Sequence, residues 1–274
     1  MKNCLVLGSA GQIGSALTSY LNSKNYNVLE FDITNNPLHD LRINNNYILR
    51  EKLEQADFVY FLAFDVGGCV YLKKYQNTYG YIQNNSKIMV NTFELLKEYD
   101  TPFVFASSQM SNMSYSSYGV LKKIGEDYTK SLGGLVVKFW NVYGIEHNVE
   151  KSHVITDFII KAKLDGVIKM LTDGTEYRQF LHSLDCSKAL EIVAENYRLL
   201  PRSEELHIAN FKWNSIIDVA NIINEFIPCK IQCAKEQDTL QFDKRNEPDP
   251  YILNWWKPEI TLKDGIKNII DGMV

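Results

Sequence analysis

The chain has 274 residues, 45% of them apolar, and a formal net charge of −4 at neutral pH. A chain of this length and composition can bury one large core or two lobes. The acidic balance leaves no basic excess for contacts with the phosphates of a duplex, so we expect no nucleic-acid partner. No apolar run is long enough to cross a bilayer, and we expect no membrane partner either.

The five cysteines have an odd count and no zinc-binding spacing (Cys4, Cys69, Cys186, Cys229 and Cys233). They therefore indicate neither a disulfide framework nor a metal site. The first residues lead straight into an apolar strand and lack the basic and apolar regions of a signal peptide. We expect reduced thiols and a cytoplasmic protein.

Apolar runs alternate with segments of helical periodicity over the first 145 residues. The predicted strands are 2–7, 26–31, 58–64, 102–106 and 135–140, and the longest predicted helices cover 79–99 and 117–132. This alternation predicts right-handed βαβ units in a Rossmann-type, doubly wound parallel sheet. Such sheets bind ligands at the carboxyl ends of their strands, where we expect the chemistry to lie.

The pattern of predicted strands and helices changes in residues 146–274. Helices are predicted near 155–164, 183–198 and 215–226, with short strand-like pieces at 168–171 and 206–208. We therefore predict an α/β fold with two parts. A Rossmann domain would cover 1–145, and a smaller α/β lobe over 146–274 would close over it and interleave with it.

A glycine-rich loop lies between the first predicted strand and the first predicted helix. A loop in this position points free backbone N–H groups at a diphosphate, with assistance from the helix dipole. The first glycine allows a tight turn, the second a close approach of phosphate, and the third close helix packing. The predicted contacts come from Gly8, Gly11, Gln12, Ile13 and Gly14.

The second predicted strand ends at Asp32. A carboxylate at this distance from a glycine loop holds the adenosine ribose hydroxyls of NAD. Ile33 and Thr34 follow, so no arginine stands directly after the carboxylate to accept a 2′-phosphate. The loop and the strand end together predict a dinucleotide site that prefers NAD over NADP.

Tyr118 and Lys122 lie one helical turn apart on the same face of a predicted helix. A phenol with a pKa of about 10 is a poor base at neutral pH, and a nearby cation and an oxidised nicotinamide both favour its phenolate. The phenolate could take a proton from a sugar hydroxyl group while hydride leaves. Ser108, at the end of a predicted strand, is preferred over Ser107 as the group that holds the same oxygen.

The same spacing occurs a second time, at Tyr20 and Lys24. No strand that ends in serine leads into this copy. We therefore interpret it as a buried ring beside a solvated lysine, without a catalytic role.

These motifs resemble those of the NAD-dependent epimerase/dehydratase family, the extended short-chain dehydrogenases/reductases that modify nucleotide-linked sugars. The similarity extends over nearly the whole chain. It includes the glycine loop, Asp32, the Ser108, Tyr118 and Lys122 set, and the segments 139–144, 173–182 and 255–258. The family uses the helices near 79–99 and 117–132 as a dimer interface, so the resemblance implies a homodimer.

The resemblance also implies roles for individual residues. On the cofactor side, Asp40 and Leu41 would border the adenine, Ala63 would lie against the cofactor, and Lys122 would bind the nicotinamide ribose. On the side of a nucleotide-diphosphate sugar, the implied substrate-binding residues are Ser108, Asn141, Arg178 and Arg245. The guanidinium groups of the two arginines have the forked donors that suit a diphosphate.

One departure from the family restricts the reaction. Dehydratases of the family carry Thr-Asp-Glu where this chain has Ser108-Gln109-Met110, so elimination of water is not expected. We predict an NAD-dependent nucleotide-sugar epimerase that oxidises and reduces the sugar at C4. The alternatives are an NAD(P)H-dependent 4-keto-sugar reductase or 4-dehydrogenase, and a non-catalytic NAD-sensing protein on the same fold.

Overall fold

Six parallel strands form the central sheet in a computed structural model that describes residues 2–146, 148–238 and 246–273. The strands of the first part of the chain are β1 (Asn3–Leu7), β2 (Asn27–Phe31), β3 (Phe58–Phe61), β4 (Phe103–Ser108) and β5 (Leu135–Phe139). The helices between and beside them are α1 (Gln12–Ser23), α2 (Tyr47–Gln55), α3 (Cys69–Tyr75), α4 (Tyr79–Tyr99) and α5 (Ser117–Ser131).

The second part of the chain contains shorter strands and four helices in the residues described. The strands are β6 (Asn141–Tyr143), β7 (Val167–Lys169), β8 (Tyr177–Arg178), β9 (Phe180–His182), β10 (Leu206–Ile208), β11 (Asn214–Ser215) and β12 (Lys230–Gln232). The helices are α6 (Val154–Asp165), α7 (Ser183–Glu195), α8 (Ile216–Phe226) and α9 (Leu262–Gly272). Strands β6 and β9, β7 and β12, and β8 and β11 form three small two-stranded sheets.

The order of the central sheet is β10-β5-β4-β3-β1-β2. The strand order reverses between β1 and β3, which creates the crevice where open parallel sheets bind ligands. The strands are nearly continuous runs of buried apolar residues, because helices cover both faces of the sheet. Helices α1 and α7 cover one face, α2, α4 and α5 cover the other, and a third core joins α6, α8 and α9.

The fold class predicted from the sequence is confirmed, and helix α4 has the predicted bounds. The prediction that the third strand extends to Phe64 is wrong, because β3 ends at Phe61. The Leu62 backbone N–H still reaches the Leu7 carbonyl oxygen, and the chain then leaves the sheet to enter the crevice. Strand β10 pairs with β5 in the central sheet, although it lies late in the chain. A domain boundary near residue 145 stays a prediction.

The described part of the chain contains no helix that combines the length and the apolar character needed to span a bilayer. The same residues contain no group of three or more His, Cys, Asp or Glu side chains that could hold a metal ion.

Candidate active site

A large cleft runs along the carboxyl ends of the central strands. Its volume is about 1340 Å³. Pockets for one small molecule span roughly 300–1,000 Å³, so this cleft has room for a dinucleotide and a second ligand. Fourteen of the fifteen residues predicted from the sequence as site residues line it: Gly8, Gly11, Gln12, Ile13, Gly14, Asp32, Asp40, Leu41, Ala63, Ser108, Tyr118, Lys122, Asn141 and Arg178. The remaining one, Arg245, lies outside the described residues.

The glycine loop connects β1 to α1, and the close backbone approaches at Gly8 and Gly14 leave no room for a side chain. Gly8 has a φ of +87°, and a Cβ atom there would lie 2.8 Å from the backbone of Ala63. A Cβ atom on Gly14 would lie 2.0 Å from the Gly8 carbonyl oxygen. Helix α1 begins directly after Gly11, so the N–H groups of its first turn have no partner within the helix. The loop therefore fits the diphosphate of a dinucleotide.

Asp32 connects the end of β2 to the glycine loop. One carboxylate oxygen accepts the backbone N–H of Ala10 at 3.1 Å, and the other accepts that of Thr34 at 2.8 Å. Each carboxylate oxygen has two lone pairs, so acceptor capacity remains for ribose hydroxyls. The side chain thus lies at the wall of the cleft with free acceptor capacity.

The predicted adenine border lies farther along the same wall. The carboxylate of Asp40 accepts hydrogen bonds from the Arg42 side chain at 2.8–3.1 Å. Leu41 is buried, and its carbonyl oxygen accepts the side-chain amide of Asn91. The guanidinium group of Arg42 is therefore paired with Asp40 within this wall of the cleft.

Ser108, Tyr118 and Lys122 are brought together at the floor of the cleft. Ser108 is the last residue of β4, and α5 begins at Ser117, one residue before Tyr118, with Ser116 as its N-terminal cap. Ser108 forms a hydrogen bond with the phenol of Tyr118. Ser107 faces the other way, since its hydroxyl group donates to Glu126 at 2.6 Å. This geometry favours Ser108 over Ser107 as the member of the set.

Burial dominates the protonation of the pair. It raises the pKa of Tyr118 to about 12, and the hydrogen bond with Ser108 acts in the opposite direction. Burial also lowers the pKa of Lys122 to about 7, against the attraction of Glu126. The lowering of the Tyr118 pKa that we expected from Lys122 is therefore not seen in the protein alone. Desolvation disfavours the charged forms of both groups and is the largest cause of each shift.

The second Tyr-x-x-x-Lys pair lies away from the cleft. The Tyr20 hydroxyl group donates to Glu191 at 2.5 Å, on α7, and the Lys24 amine lies 5.7 Å from the Tyr20 ring centroid. Tyr20 is half-buried in the contact between α1 and α7. This copy therefore has a packing role, as the sequence indicated.

Asn141 and Arg178, predicted to bind the substrate, line the same cleft as the glycine loop. Asn141 begins β6, and Arg178 ends β8. The Arg178 guanidinium group donates to the Tyr177 carbonyl oxygen at 2.7 Å and to the carboxylate of Asp238. Its side chain is 11% exposed, so the guanidinium group is held in the wall of the cleft.

The sequence analysis missed a contact that joins the two halves of the cleft. Asp65, after β3, accepts hydrogen bonds from the Lys151 amine at 2.8 Å and the Tyr71 hydroxyl group at 2.7 Å. Gly68 approaches the same segment so closely that a Cβ atom would lie 2.2 Å from the Ser152 carbonyl oxygen. The signal available was the Gly67-Gly68 pair after a strand end, which indicates a close backbone approach.

A second missed feature is the ring of Phe64. Its centroid lies 3.8 Å from the Lys122 amine, and its ring meets that of Tyr118 edge-on at 5.8 Å. The sequence offered only its position near a strand end, and that signal does not reveal what the ring contacts.

Comparisons with known proteins agree with this geometry. Residues 4–209 match the model of the NAD dependent epimerase/dehydratase family. The chain is 26% identical over 310 residues to a Methanocaldococcus jannaschii protein named "Putative UDP-glucose 4-epimerase", with 98% of this chain and 97% of that protein covered.

Two solved structures share the fold. An epimerase from Methanothermobacter thermautotrophicus superposes with a TM-score of 0.86 at 19% identity, over 98% of this chain and 91% of that one. A GDP-6-OMe-4-keto-L-xylo-heptose reductase from C. jejuni has a TM-score of 0.84 at 18% identity, over 99% and 97%. Since the family model covers most of the chain, and the glycine loop and the Ser108, Tyr118 and Lys122 set line one cleft, this protein belongs to the NAD-dependent epimerase/dehydratase family.

Proposed function

We propose that the protein is an NAD-dependent nucleotide-sugar epimerase that acts by oxidation and reduction at C4 of the sugar. The observation that carries this proposal is the position of Ser108, Tyr118 and Lys122. They line the same cleft as the glycine loop and Arg178. A sugar between a dinucleotide and an arginine-bound diphosphate would present a ring hydroxyl group to the phenol.

In the oxidative half of the reaction, Tyr118 acts as the phenolate, which the positive charge of an oxidised nicotinamide beside it would favour over the buried phenol. It takes the proton of the C4 hydroxyl group, and Ser108 donates a hydrogen bond to the same oxygen. The Lys122 ammonium group stabilises the negative charge of the phenolate. The nicotinamide cofactor would supply the acceptor for the C4 hydride and its donor on the return. For epimerisation, the 4-keto sugar would have to present its opposite face before the hydride returns. In the reductive half, Tyr118 gives its proton back to the oxygen, so that the Tyr118 phenolate and the cofactor regain their starting states while the configuration at C4 is inverted.

The cofactor would be held by residues of the Rossmann part. The first-turn N–H groups after Gly11 would bind the diphosphate, Asp32 the adenosine ribose, and Lys122 the nicotinamide ribose. Asp40 and Leu41 would border the adenine, and Ala63 would lie beneath the cofactor. We propose NAD in preference to NADP because the carboxylate of Asp32 repels a 2′-phosphate, and the nearby Arg42 cation is already paired with Asp40.

On the substrate side, we propose that Asn141 contacts the sugar and that Arg178 binds the diphosphate of the nucleotide. A guanidinium group offers five donors, so Arg178 can keep Asp238 while it turns others to phosphate. We also propose Arg245 as a second ligand of the diphosphate, and this proposal rests on the family resemblance alone. All five cysteines are free thiols in the structure, which supports placing the enzyme in the cytoplasm.

A 4-keto-sugar reductase is the second candidate. The fold shared with a heptose reductase of C. jejuni favours it, because that protein reduces a 4-keto sugar on the same scaffold. A non-catalytic NAD sensor is less well supported, since such a protein has no need of an intact Ser, Tyr and Lys set.

Two measurements separate the enzymatic candidates. Ligands released from the purified protein are identified by mass spectrometry, and the matching nucleotide sugars are then incubated with catalytic NAD. We expect bound NAD and interconversion of two C4 epimers, with no net change in the absorbance of reduced nicotinamide. Consumption of reduced cofactor in step with product would instead assign the reductase.

We also propose that the protein is a homodimer. Val120, Ile124 and Tyr128 form one stripe on α5 and are 40%, 42% and 41% exposed, and Ile82 and Val90 on α4 are each 39% exposed. An apolar stripe shared by two neighbouring helices is typical of an interface between subunits. A second copy of the same face would cover it by twofold symmetry.

The replacement Ile124→Glu places a charge at the centre of this stripe. We expect it to convert the dimer to a monomer in light scattering coupled to size exclusion, because an unpaired charge cannot be buried there. Leu164→Glu, at a site on α6 that is 79% exposed, is the matched control and should leave the dimer intact. A wild-type protein that is monomeric at micromolar concentration would contradict the proposal.

A further inference from the structure

The ammonium group of Lys122 is buried without a close ion pair. Its side chain is 4% exposed. Within the described part of the chain, the hydrogen bond found for the amine goes to the Ala106 carbonyl oxygen, at 2.7 Å, and no carboxylate lies within ion-pairing distance. A buried cation of this kind is costly unless other groups compensate the lost hydration.

The nearest carboxylate already serves other partners. Glu126 lies one turn beyond Lys122 on α5 and is 1% exposed. It accepts the Ser107 hydroxyl group at 2.6 Å and lies 3.7 Å from the Lys138 amine on β5. Glu126 attracts Lys122 only at longer range, because its close contacts are with Ser107 and Lys138. It therefore does not form the close ion pair that ordinarily stabilises a buried lysine.

Aromatic rings surround the amine instead. The Phe64 centroid lies at 3.8 Å, that of Phe105 at 5.1 Å and that of Tyr118 at 5.9 Å. The negative face of an aromatic ring attracts a cation, and the attraction is larger where water is excluded. Phe64 is much the closest of the three, and its edge contact with Tyr118 joins the ring to both members of the catalytic pair.

We propose that Phe64 is a positioning residue of the site, whose ring face holds the Lys122 amine charged and in place beside the Tyr118 phenol. The inference rests on the proposed function in one respect, because it takes Tyr118 and Lys122 as the reacting pair. The role proposed for Phe64 in the reaction is indirect. It acts through Lys122, which needs its positive charge to stabilise the phenolate.

The other charged and titratable groups around Lys122 come from several elements. Tyr118 and Glu126 lie on α5 itself, Tyr81 lies on α4, Lys138 on β5, and Asp65 directly follows Phe64. Strand β4 and the 3₁₀ turn that follows it (Gln109–Asn112) contribute no charged or titratable side chain. Asp65 forms an ion pair with Lys151, and Lys138 forms one with Glu205 at 2.8 Å. A change confined to the Phe64 ring therefore leaves every one of these charges in place.

The test compares Phe64→Leu, which keeps much of the volume and removes the ring face, with Phe64→Tyr, which keeps the face. The Lys122 amine is titrated by NMR in protein labelled with ¹³C at the lysine Cε, and its resonance is assigned by its loss in Lys122→Arg. Phe226→Leu on α8, a half-buried ring in the other lobe, is the matched control.

We expect Phe64→Leu to move the midpoint of the Lys122 titration to lower pH by roughly one unit. Removal of the ring destabilises the charged ammonium form and leaves the uncharged amine unaffected. Phe64→Tyr and Phe226→Leu should keep the wild-type midpoint. In turnover assays the alkaline limb should move in the same direction, since activity that needs the ammonium form is lost as the pH rises through its pKa.

An unchanged midpoint in folded Phe64→Leu would overturn the proposal, and so would an equal shift in Phe64→Tyr. The NMR titration requires no substrate and no turnover. If the protein proved not to be an epimerase, the midpoints would still decide whether Phe64 holds the charge of Lys122. If the midpoints failed to move while epimerisation was observed, only the role of Phe64 would be lost.

Discussion

Replacement of Tyr118 by Phe should lower turnover by roughly 10²- to 10⁴-fold, which is the usual contribution of a positioned acid or base. The phenol oxygen is the group that exchanges a proton with the sugar, and phenylalanine has no substitute for it. The ring should still pack edge-on against Phe64, so the fold should be unaffected. The measurement is kcat and KM for epimerisation, together with the NAD content of the purified variant.

Tyr20→Phe is the matched control, since it removes a phenol hydroxyl group from the same Tyr-x-x-x-Lys spacing outside the cleft. It should cost only the hydrogen bond to Glu191 and leave turnover at the wild-type level. The NAD content of Tyr118→Phe should equal that of wild type, which separates chemistry from binding. Full turnover by Tyr118→Phe would refute the assigned role of the phenol.

Replacement of Gly14 by Ala should weaken cofactor binding severely. The added Cβ atom would lie 2.0 Å from the Gly8 carbonyl oxygen and 2.9 Å from the Ser9 Cα atom. Both neighbours are backbone, so the glycine loop itself must move, and its N–H groups would no longer converge on a diphosphate. We expect at least a 100-fold increase in Kd for NAD, or about 2.7 kcal/mol of lost binding free energy.

Gly80→Ala on α4 is the control for this substitution, because no atom lies within 4 Å of a Cβ atom added there. It should bind NAD as wild type does and gain slightly in stability, since alanine favours a helix over glycine. Kd values come from calorimetry, and thermal unfolding checks the fold of both variants. Unimpaired NAD binding by Gly14→Ala would show that the loop is not the diphosphate site.

The two halves of the cleft depend on different kinds of information in the chain. The cofactor half follows from local spacing, because a glycine loop between a strand and a helix has few geometries available to it. Tyr118 and Lys122 share a helix face whatever surrounds them, because they are four residues apart on one helix. The substrate half depends on how β6, β8 and the segment that carries Asp238 come together, and these elements are short and distant in sequence.

The sequence by itself determined the Rossmann sheet, the glycine loop, Asp32 at a strand end, and a phenol and an amine one turn apart. These features repeat with the periods of strands and helices, so they can be recognised without knowing their neighbours. Only the tertiary structure decided that Phe64 covers the Lys122 amine, that Glu126 is engaged by Ser107, and that β10 completes the central sheet. Such contacts join residues far apart in the chain, and the protonation of Tyr118 and Lys122 depends on water excluded by all of them together.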